Sequence, residues 1–250
     1  MGGLLFFLMM ELWVPYRPSS VSKPKRWANN LGLTAFNALL LYLLFSMAIF
    51  RTSEYVMHHQ SGILHLLHLS YWSKLFIAVA FFDFLLYVWH FLNHKMPLLW
   101  RFHRVHHSDL NLDVSSASRF HIGELGISAM IKIGFIFFLG ADMFMVMIFE
   151  SAVVLFTQLH HSSLKVPGWF ERIYWTLFVP PSMHRIHHSV VIKERDSNYG
   201  AIFSFWDRIF GTLRRDEDQE RIRIGMGAYQ RPESLNFLRL LWMPFTRPVR

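Results

Sequence analysis

The chain of 250 residues contains no cysteine. That absence excludes a disulfide scaffold, a cysteine-ligated zinc or iron–sulfur site, and a thiol nucleophile. Charged residues are also scarce: they make up 17% of the chain, whereas a soluble domain usually carries about a quarter. Since 53% of the residues are hydrophobic, the composition indicates a membrane protein.

Several common catalytic motifs are missing as well. The sequence has no Gly-x-Ser-x-Gly, Walker A, Gly-x-Gly-x-x-Gly or His-Glu-x-x-His, which argues against a serine hydrolase, a P-loop enzyme, a dinucleotide fold and a zincin peptidase. It also lacks the Glu-x-x-His of the carboxylate-bridged di-iron sites in soluble bundles. No RNA-binding or helix-turn-helix signature accompanies the net charge of +8, so we relate that charge to an anionic membrane face rather than to nucleic acid.

Four long apolar runs are the main structural signal of the sequence. They cover residues 31–50, 72–89, 125–140 and 143–159. About 20 apolar residues suffice for a helix to cross a bilayer, so we predict about four transmembrane helices. The last two runs are predicted to form a hairpin that turns at Gly140-Ala141-Asp142. A further apolar stretch at residues 1–14 is interpreted as a short anchor rather than a cleaved signal peptide.

Loop charge predicts the orientation of these helices. Arg17, Lys23, Lys25 and Arg26 precede the first run, and basic loops tend to stay on the cytoplasmic side. Following the runs from there places the clustered histidines, from His90 onward, on that same side. We therefore predict an all-α membrane protein with these histidines at its cytoplasmic face. Four other histidines fall on the opposite side and are expected to have no catalytic role: His58, His59, His65 and His68.

Histidine is the most informative residue type of the chain, which has 15 of them. Four groups stand out: His90-x-x-x-His94, His103-x-x-His106-His107, His160-His161 and His184-x-x-His187-His188. Residues three or four apart share one face of a helix, so a pair at i and i+4 can chelate one metal ion. His107 or His188 sits beside a further histidine and can reach a second ion. Residues 102–108 and 183–189 are nearly identical, so the pattern occurs as a short internal repeat.

So many imidazoles are too many for one metal ion and indicate a dinuclear site. Neutral imidazole suits iron, zinc, copper and nickel, whereas a structural zinc needs only four ligands. The alternative is a set of interfacial histidines with a purely structural role. His121 lies on the same predicted face and is an open candidate.

Carboxylates within the apolar runs are candidates for supporting roles, because a charge inside a membrane helix is costly. One helical stripe carries Asp83, Tyr87, His90 and His94. We predict that Asp83, with Tyr87 near it, accepts the second N–H of a ligand histidine; a simple interhelical hydrogen bond is the alternative. Glu150 is a weaker candidate of the same kind or lines a substrate channel, and Lys132 snorkels or pairs with a carboxylate.

These motifs resemble those of the fatty acid hydroxylase and sterol desaturase superfamily, whose members are integral-membrane di-iron oxygenases. The resemblance rests on the three histidine boxes and on Asp196-x-Asn198-Tyr199-Gly200 followed by Phe205-Trp-Asp-Arg-Ile-Phe-Gly-Thr212, which are similar to the C-terminal signature of alkylglycerol monooxygenases. It suggests an N-terminal membrane anchor region at residues 1–75, a di-iron domain at residues 76–214 and a basic cytosolic tail at residues 215–250. It also implies a transmembrane bundle under a cytosolic helical cap, with the metals between them.

The same resemblance implies which histidines bind the metals. It assigns His90, His94, His103, His106, His107, His161, His184, His187 and His188. His161 matches the family histidine that follows the last apolar run, and His160 is its neighbour. Thr157 stands where some members have a further histidine, and His121 or a water could fill that gap. His121 and His160 are therefore the less certain candidates.

The resemblance also implies an activity: O2-dependent hydroxylation or desaturation of a C–H bond in a lipid. A sterol, a fatty acyl chain, an alkylglycerol ether and a carotenoid all remain possible substrates. Two irons are the implied cofactor, and zinc could replace them in purified protein. Since no flavin or nicotinamide motif is present, the electrons must come from a separate donor, such as a cytochrome b5-like protein or a ferredoxin with its reductase.

The competing hypothesis is a non-catalytic membrane protein that binds or transports metal. Such a protein should place its ligands along a path through the bilayer. A membrane haem protein would need only one or two histidine pairs, and a di-zinc hydrolase would need a carboxylate base among the ligands. For location, a bacterial inner membrane is favoured, or the endoplasmic reticulum membrane if the source is eukaryotic.

Overall fold

The computed structural model describes residues 2–215, 217–247 and 249. Within these ranges the α-helices are α1 Gly2–Trp13, α2 Lys23–His58, α3 Ile63–Leu66, α4 Tyr71–Lys95, α5 Pro97–His107, α6 Ile122–Leu139, α7 Met143–His161, α8 Gly168–Tyr174, α9 Pro181–His187, α10 Ile192–Arg195, α11 Phe205–Ile209 and α12 Phe237–Trp242. Short 3-10 helices cover Val114–Ser118, Pro232–Leu235 and Met243–Phe245. The described residues form only isolated β-bridges and no strand, so the predicted all-α class is confirmed.

Four segments are long and apolar enough to span a membrane. They are α2 continued by α3 (Lys23–Leu66), α4, α6 and α7. These segments contain the four predicted runs, but α2 is longer than its run: its 36 residues correspond to about 54 Å, against about 30 Å for a hydrocarbon core. The helix therefore continues past the end of the predicted run at residue 50, as far as His58.

The predicted hairpin joins α6 and α7, and two features of its sequence make the turn. Gly140 ends α6 with a φ of 77°, a conformation that disfavours side chains. A Cβ there would also collide with the carbonyl oxygen of Ser61. Asp142 caps α7, because its carboxylate accepts the backbone N–H of Met145 at 2.8 Å.

Helices α4, α6 and α7 pack around a core of buried apolar side chains. Its members include Ala78, Phe82, Ile136, Leu139, Met145, Val146 and Phe149. On the outward faces of the same helices, Phe138 and Met147 are 51% and 55% exposed. Apolar residues on both faces are expected where lipid surrounds a helix.

Helices α5 and α8 to α12 form a cap over one end of this bundle. The first turns of α2 enter the cap, where Arg26 donates to Asp109 and Asp113, each at 2.6 Å. A second apolar cluster joins α2 and α5 to the C-terminal segment: Leu33, Val105, Leu235, Leu240 and Met243. Residues 217–247, predicted to be part of a tail, therefore pack against the cap, because their leucines and methionines bury apolar surface there.

Candidate metal centre

Nine histidine rings converge between the bundle and the cap, in two groups. The first group is His90, His94, His103, His107 and His187; the second is His106, His161, His184 and His188. Within each group the potential ligand nitrogens all lie within 4.8 Å of one another. These are the same nine residues that the sequence predicted as ligands.

Each repeated histidine box contributes to both groups. On α5, His103 and His107 belong to the first group, and His106 points to the second. Around α9 the assignment is reversed: His184 and His188 belong to the second group and His187 to the first. The residues that cross over are thus His106 and His187, not His107 or His188 as predicted. The reason is helical geometry, since residues four apart share a face and adjacent residues differ by about 100°.

Prolines create the bends that bring the boxes together. Pro97 begins α5, and Met96 before it is extended, with φ of −91° and ψ of 118°. The chain therefore folds back at the end of α4, because a residue before proline disfavours the helical conformation. As a result the ring of His94 lies 4.9 Å from that of His103. Pro181 begins α9 in the same way.

Ring nitrogens in these groups are spaced as ligands of one metal are. Nε2 of His107 lies 3.2 Å from Nε2 of His103. Nε2 of His184 lies 2.9 Å from that of His161 and 3.0 Å from that of His188. Nitrogens bound at right angles to one ion, each at about 2.1 Å, are about 3 Å apart. The spacing therefore fits a shared ion.

Backbone carbonyls orient two of the rings in the first group. Nδ1 of His90 donates to the carbonyl of Tyr199 at 2.8 Å, and Nδ1 of His187 donates to that of Ser197 at 2.7 Å. A carbonyl can only accept, so the proton is on Nδ1 and Nε2 keeps its lone pair. Nε2 of both rings, and of His94, has no hydrogen-bond partner among the residues described. These nitrogens are thus available to a metal.

Other rings are held by side chains. Nδ1 of His103 contacts the buried carboxylate of Glu124 at 2.8 Å, and Nδ1 of His161 contacts the hydroxyl of Ser116 at 3.0 Å. Such outer contacts fix the ring and raise its basicity toward a metal. The role of Glu124 was not predicted, although a carboxylate directly before the apolar run at residues 125–140 was a visible signal.

Burial keeps the rings in the form that binds metal. The pKa of five histidines in the cap lies well below its usual value, because burial disfavours the charged ring and neighbouring imidazoles would repel it. The five are His106, His107, His184, His187 and His188. Neutral imidazole is the ligand form of histidine, so this donor set fits a pair of transition-metal ions such as iron or zinc.

The segment of residues 196–200 supports the first group from outside. Asn198 has a φ of 57° and donates through its amide to the carbonyl of Met183 at 3.1 Å. Asp207 accepts the backbone N–H groups of Tyr199 and Gly200 at 2.7 and 2.8 Å. These bonds fix the carbonyls that orient the ligands. The sequence offered no signal for this role, because any residue type can supply a carbonyl.

The structure gives Asp83 other partners than the histidine predicted for it. Its carboxylate accepts the backbone N–H groups of Ile202 and Phe203 at 3.1 and 3.2 Å, and the indole N–H of Trp206 at 2.9 Å. It lies seven residues, about 10 Å, below His90 on α4, too far to reach the ring. Tyr87 likewise contacts the hydroxyl of Thr212 at 2.9 Å. Both residues hold the loop that carries the orienting carbonyls.

His121 and His160 lie outside the two groups. His121 caps α6, where its Nδ1 accepts the backbone N–H of Gly123 at 2.9 Å, and its other nitrogen contacts the carbonyl of Leu241 at 3.1 Å. The ring of His160 lies 4.0 Å from that of His184. The hydroxyl of Thr157 donates to its own helix, at the carbonyl of Val153.

An apolar cavity of about 350 Å³ ends at the two groups. Rings from both form part of its wall, together with His160: His90, His103, His106, His161 and His184. Apolar side chains line much of the rest, among them Leu41, Leu86, Phe149, Val153 and Val154. Val154 is also 46% exposed on the bundle surface, so the cavity reaches the side that lipid would cover. Lys132 and Glu150 line it too and form an ion pair, as predicted for Lys132.

A model of the fatty acid hydroxylase family matches residues 75–212, more than half of the chain and all nine grouped histidines. The chain belongs to the fatty acid hydroxylase family. The resemblance drawn from the histidine boxes is thereby confirmed. No solved structure matches the chain.

Three proteins similar to this member of the fatty acid hydroxylase family have names that include a lipid substrate. The ornithine lipid hydroxylase OlsE of Rhizobium tropici is 30% identical over 179 residues, which are 70% of this chain and 51% of the relative. The cholesterol 25-hydroxylase of Homo sapiens is 25% identical over 229 residues, 85% of this chain and 79% of the relative. The alkylglycerol monooxygenase of Caenorhabditis elegans is 30% identical over 152 residues, 60% of this chain and 29% of the relative. The chain thus spans about half the length of the first of these and less of the last.

Proposed function

We propose that this protein is a membrane-bound di-iron oxygenase that hydroxylates or desaturates a C–H bond of a lipid, with O2 and two electrons from an external donor. The observation that carries the proposal is the junction of the histidine groups with the apolar cavity, since rings of both groups face it. A lipid chain in that cavity would lie directly beside the metals. The names of the relatives, lipid hydroxylases and a monooxygenase, support the same chemistry.

The metals and the protein would have different roles in this reaction. Two irons in the histidine groups would supply the activation of O2 and the removal of hydrogen from an unactivated carbon. The chain holds the rings, positions the lipid and excludes water. Leu86, Phe149 and Val153 offer the lipid apolar contacts and no hydrogen-bonding groups, so the reacting carbon would lie in a dry environment. A larger pocket of about 480 Å³ lies elsewhere, and its polar lining, with Arg17 and Glu220, suits a lipid chain poorly.

We place the electron donor at the cap. Exposed basic side chains there include Lys193, Arg215, Arg221, Arg223, Arg231 and Arg239. Opposite charge speeds the encounter of redox partners, so an acidic cytochrome b5-like protein or ferredoxin would suit this face. Such donors are cytoplasmic, which agrees with the orientation predicted from loop charge, in a bacterial inner membrane or in the endoplasmic reticulum.

The arrangement favours an oxygenase over a metal transporter. A transporter needs ligands spaced along the bilayer, whereas both groups of ligands found in the described residues lie at one end of the bundle. At the other end, His59 stacks on Tyr55 at 4.1 Å and His65 contacts the amide of Gln60, and neither belongs to a ligand group in the part of the chain described.

The test begins with metal content and ends with product. Protein expressed with iron and purified into lipid nanodiscs is expected to hold about two metal ions per chain, measured by inductively coupled plasma mass spectrometry. With 18O2, a reductant and the donor, it should convert one lipid of a sterol, fatty acyl and alkylglycerol panel. Hydroxylation adds one labelled oxygen atom to the product, and desaturation removes two hydrogens.

Two double variants serve as the test and its control. The double variant His106→Ala, His187→Ala should lose metal and product together, while His58→Ala, His59→Ala changes histidines outside both groups and should keep both. Folded, iron-supplied protein with only trace metal would overturn the proposal. Two metals without oxidation of any lipid in the panel would favour the non-catalytic alternative.

A further inference from the structure

Asn93 carries a buried side-chain amide that has no role in the metal centre described above. It lies on α4 between the ligands His90 and His94, is 1% exposed and lines the apolar cavity. Neither its Oδ1 nor its Nδ2 has a hydrogen-bond partner within the residues described. Burying an unpaired carboxamide beside an apolar cavity is costly compared with a leucine of similar size. The position therefore offers both a donor and an acceptor to whatever fills the cavity.

Two further unpaired atoms line the same cavity, on other helices. Asn37 of α2 donates from Nδ2 to the carbonyl of Phe120 at 2.7 Å, which leaves its Oδ1 without a partner among the described atoms. Glu124 of α6 contacts His103 through Oε1, and its Oε2 has no hydrogen-bond partner among the described atoms. Both residues are buried, with 3% and 4% exposure.

All these atoms are at the metal end of the cavity. Asn93 is adjacent to His94 in sequence, Glu124 touches His103, and Asn37 bonds Phe120, whose ring stacks on that of His106 at 4.3 Å. Farther along the cavity, Leu41 and Val154 are apolar, and Lys132 and Glu150 are paired with each other. Lys132 is ten residues into α6, about 15 Å from its start. The cavity thus has one end at the metals where three buried side chains offer unpaired polar atoms, and farther along it is lined by apolar side chains and an ion pair.

We propose that Asn93, with Asn37 and Glu124, binds a polar group of the substrate beside the carbon that is oxidised. This inference rests on the proposed function and narrows it. The substrate is then a lipid whose ether, ester, amide or hydroxyl group is within a few bonds of the oxidised carbon, with its hydrocarbon chain along Leu41 and Val154. The bare tail of a sterol would leave the three polar side chains unpaired, and a site built for hydrogen bonds discriminates against such a ligand.

Binding tests the inference without turnover. Protein loaded with zinc, which cannot cycle redox states, is mixed with 1-O-hexadecylglycerol or with cholestane, the sterol hydrocarbon without a hydroxyl, and affinities are measured by isothermal titration calorimetry in detergent. The ether lipid should bind at least about tenfold more tightly to the wild-type protein. In Asn93→Leu that preference should fall by about tenfold, through weaker binding of the ether lipid and not of cholestane. Metal content should be unchanged, since no ring nitrogen is altered.

The outcomes separate the inference from the proposed function. Equal binding of both lipids by the wild-type protein, or an unchanged preference in Asn93→Leu, would overturn the inference and show that Asn93 holds an ordered water only. The wild-type comparison needs no variant, so it stands even if Asn93→Leu does not fold. Oxidation of a lipid without the predicted preference refutes the inference alone. A preference without oxidation in the iron-loaded protein refutes the proposed function alone.

Discussion

The internal repeat has two copies, residues 102–108 and 183–189. Each copy places two histidines in one group and one in the other, but different segments of the chain hold the two copies in place. In the first copy, Arg104 is fully buried and donates to backbone carbonyls of the C-terminal segment. Its acceptors are Met243, Thr246 and Arg247. In the second copy, Arg185 lies 3.9 Å over the ring of Tyr16 and donates to the side chain of Gln219 at 2.6 Å.

Ring orientation differs between the copies as well. His103 and His184 occupy the same place in the repeat, but Nδ1 of His103 contacts Glu124, while Nδ1 of His184 has no partner among the described residues. His187 is held by the carbonyl of Ser197, whereas its counterpart His106 is stacked on Phe120. The spacing within the repeat thus determines which rings lie in the same group. Contacts with segments distant in sequence determine how firmly each ring is held. The first group has five rings and the second four, so the two halves of the centre are not equivalent.

The largest expected effect concerns the crossing rings. His106→Ala leaves three rings in the second group, and His187→Ala leaves four in the first. Each variant is expected to lose about one metal ion per chain, and His106→Ala should lose it more completely because fewer ligands remain. Metal content after dialysis against a weak chelator measures this.

Equal, complete loss of both metals in each variant would contradict the separation into two groups. It would show that the nine rings bind as one unit. The far-side variant His58→Ala controls for the loss of a histidine as such.

A smaller effect is expected from the two arginines. Arg104→Met leaves several buried carbonyls unpaired and should lower the free energy of unfolding by about 3 kcal/mol. Arg185→Met loses one hydrogen bond and a stacked cation, for about 1–2 kcal/mol. Thermal unfolding in detergent should rank them in that order. Arg221→Met is the matched control, because that side chain is 88% exposed and should change little. The reverse ranking would mean that the second copy has the firmer support.

Much of the fold could be predicted because membrane spans and metal boxes are local patterns. The four runs and the Gly140 turn were visible in the sequence, and so was the spacing that puts His103 and His107 on one face. The packing of Leu235, Leu240 and Met243 was not, since these residues lie in a segment, residues 217–247, with five arginines and no long apolar run. The partners of Asp83 were also beyond prediction, because two of its three bonds go to backbone N–H groups, which any residue can supply.

The smallest effect tests the N-terminal segment, whose Tyr16 contacts the second copy and whose helix α1 packs on α7 and on the 3-10 helix Val114–Ser118. Glu11 on α1 accepts the backbone N–H groups of Val114 and Ser163 at 2.8 and 2.7 Å. Burial, with a smaller contribution from Asp113, raises the pKa of Glu11 from 4.5 to about 7. A carboxyl whose pKa is higher in the folded state favours folding at low pH, so its stabilising effect is complete below 4.5 and is lost as pH rises through 7.

The variant Glu11→Gln keeps an oxygen that accepts the same N–H groups but cannot ionise. Its thermal unfolding temperature should equal that of the wild type at about pH 3.5, where Glu11 is protonated in both the folded and the unfolded chain, and exceed it by about 3 °C at pH 8. Comparing the two proteins at each pH cancels the other groups that titrate in this range. Among the described residues no carboxyl accepts from Arg104, whose acceptors are backbone carbonyls and the hydroxyl of Thr246, so Arg104→Met should lose the same stability at both pH values. A Glu11→Gln difference that does not grow with pH would mean that packing alone holds α1 on α7 and Val114–Ser118.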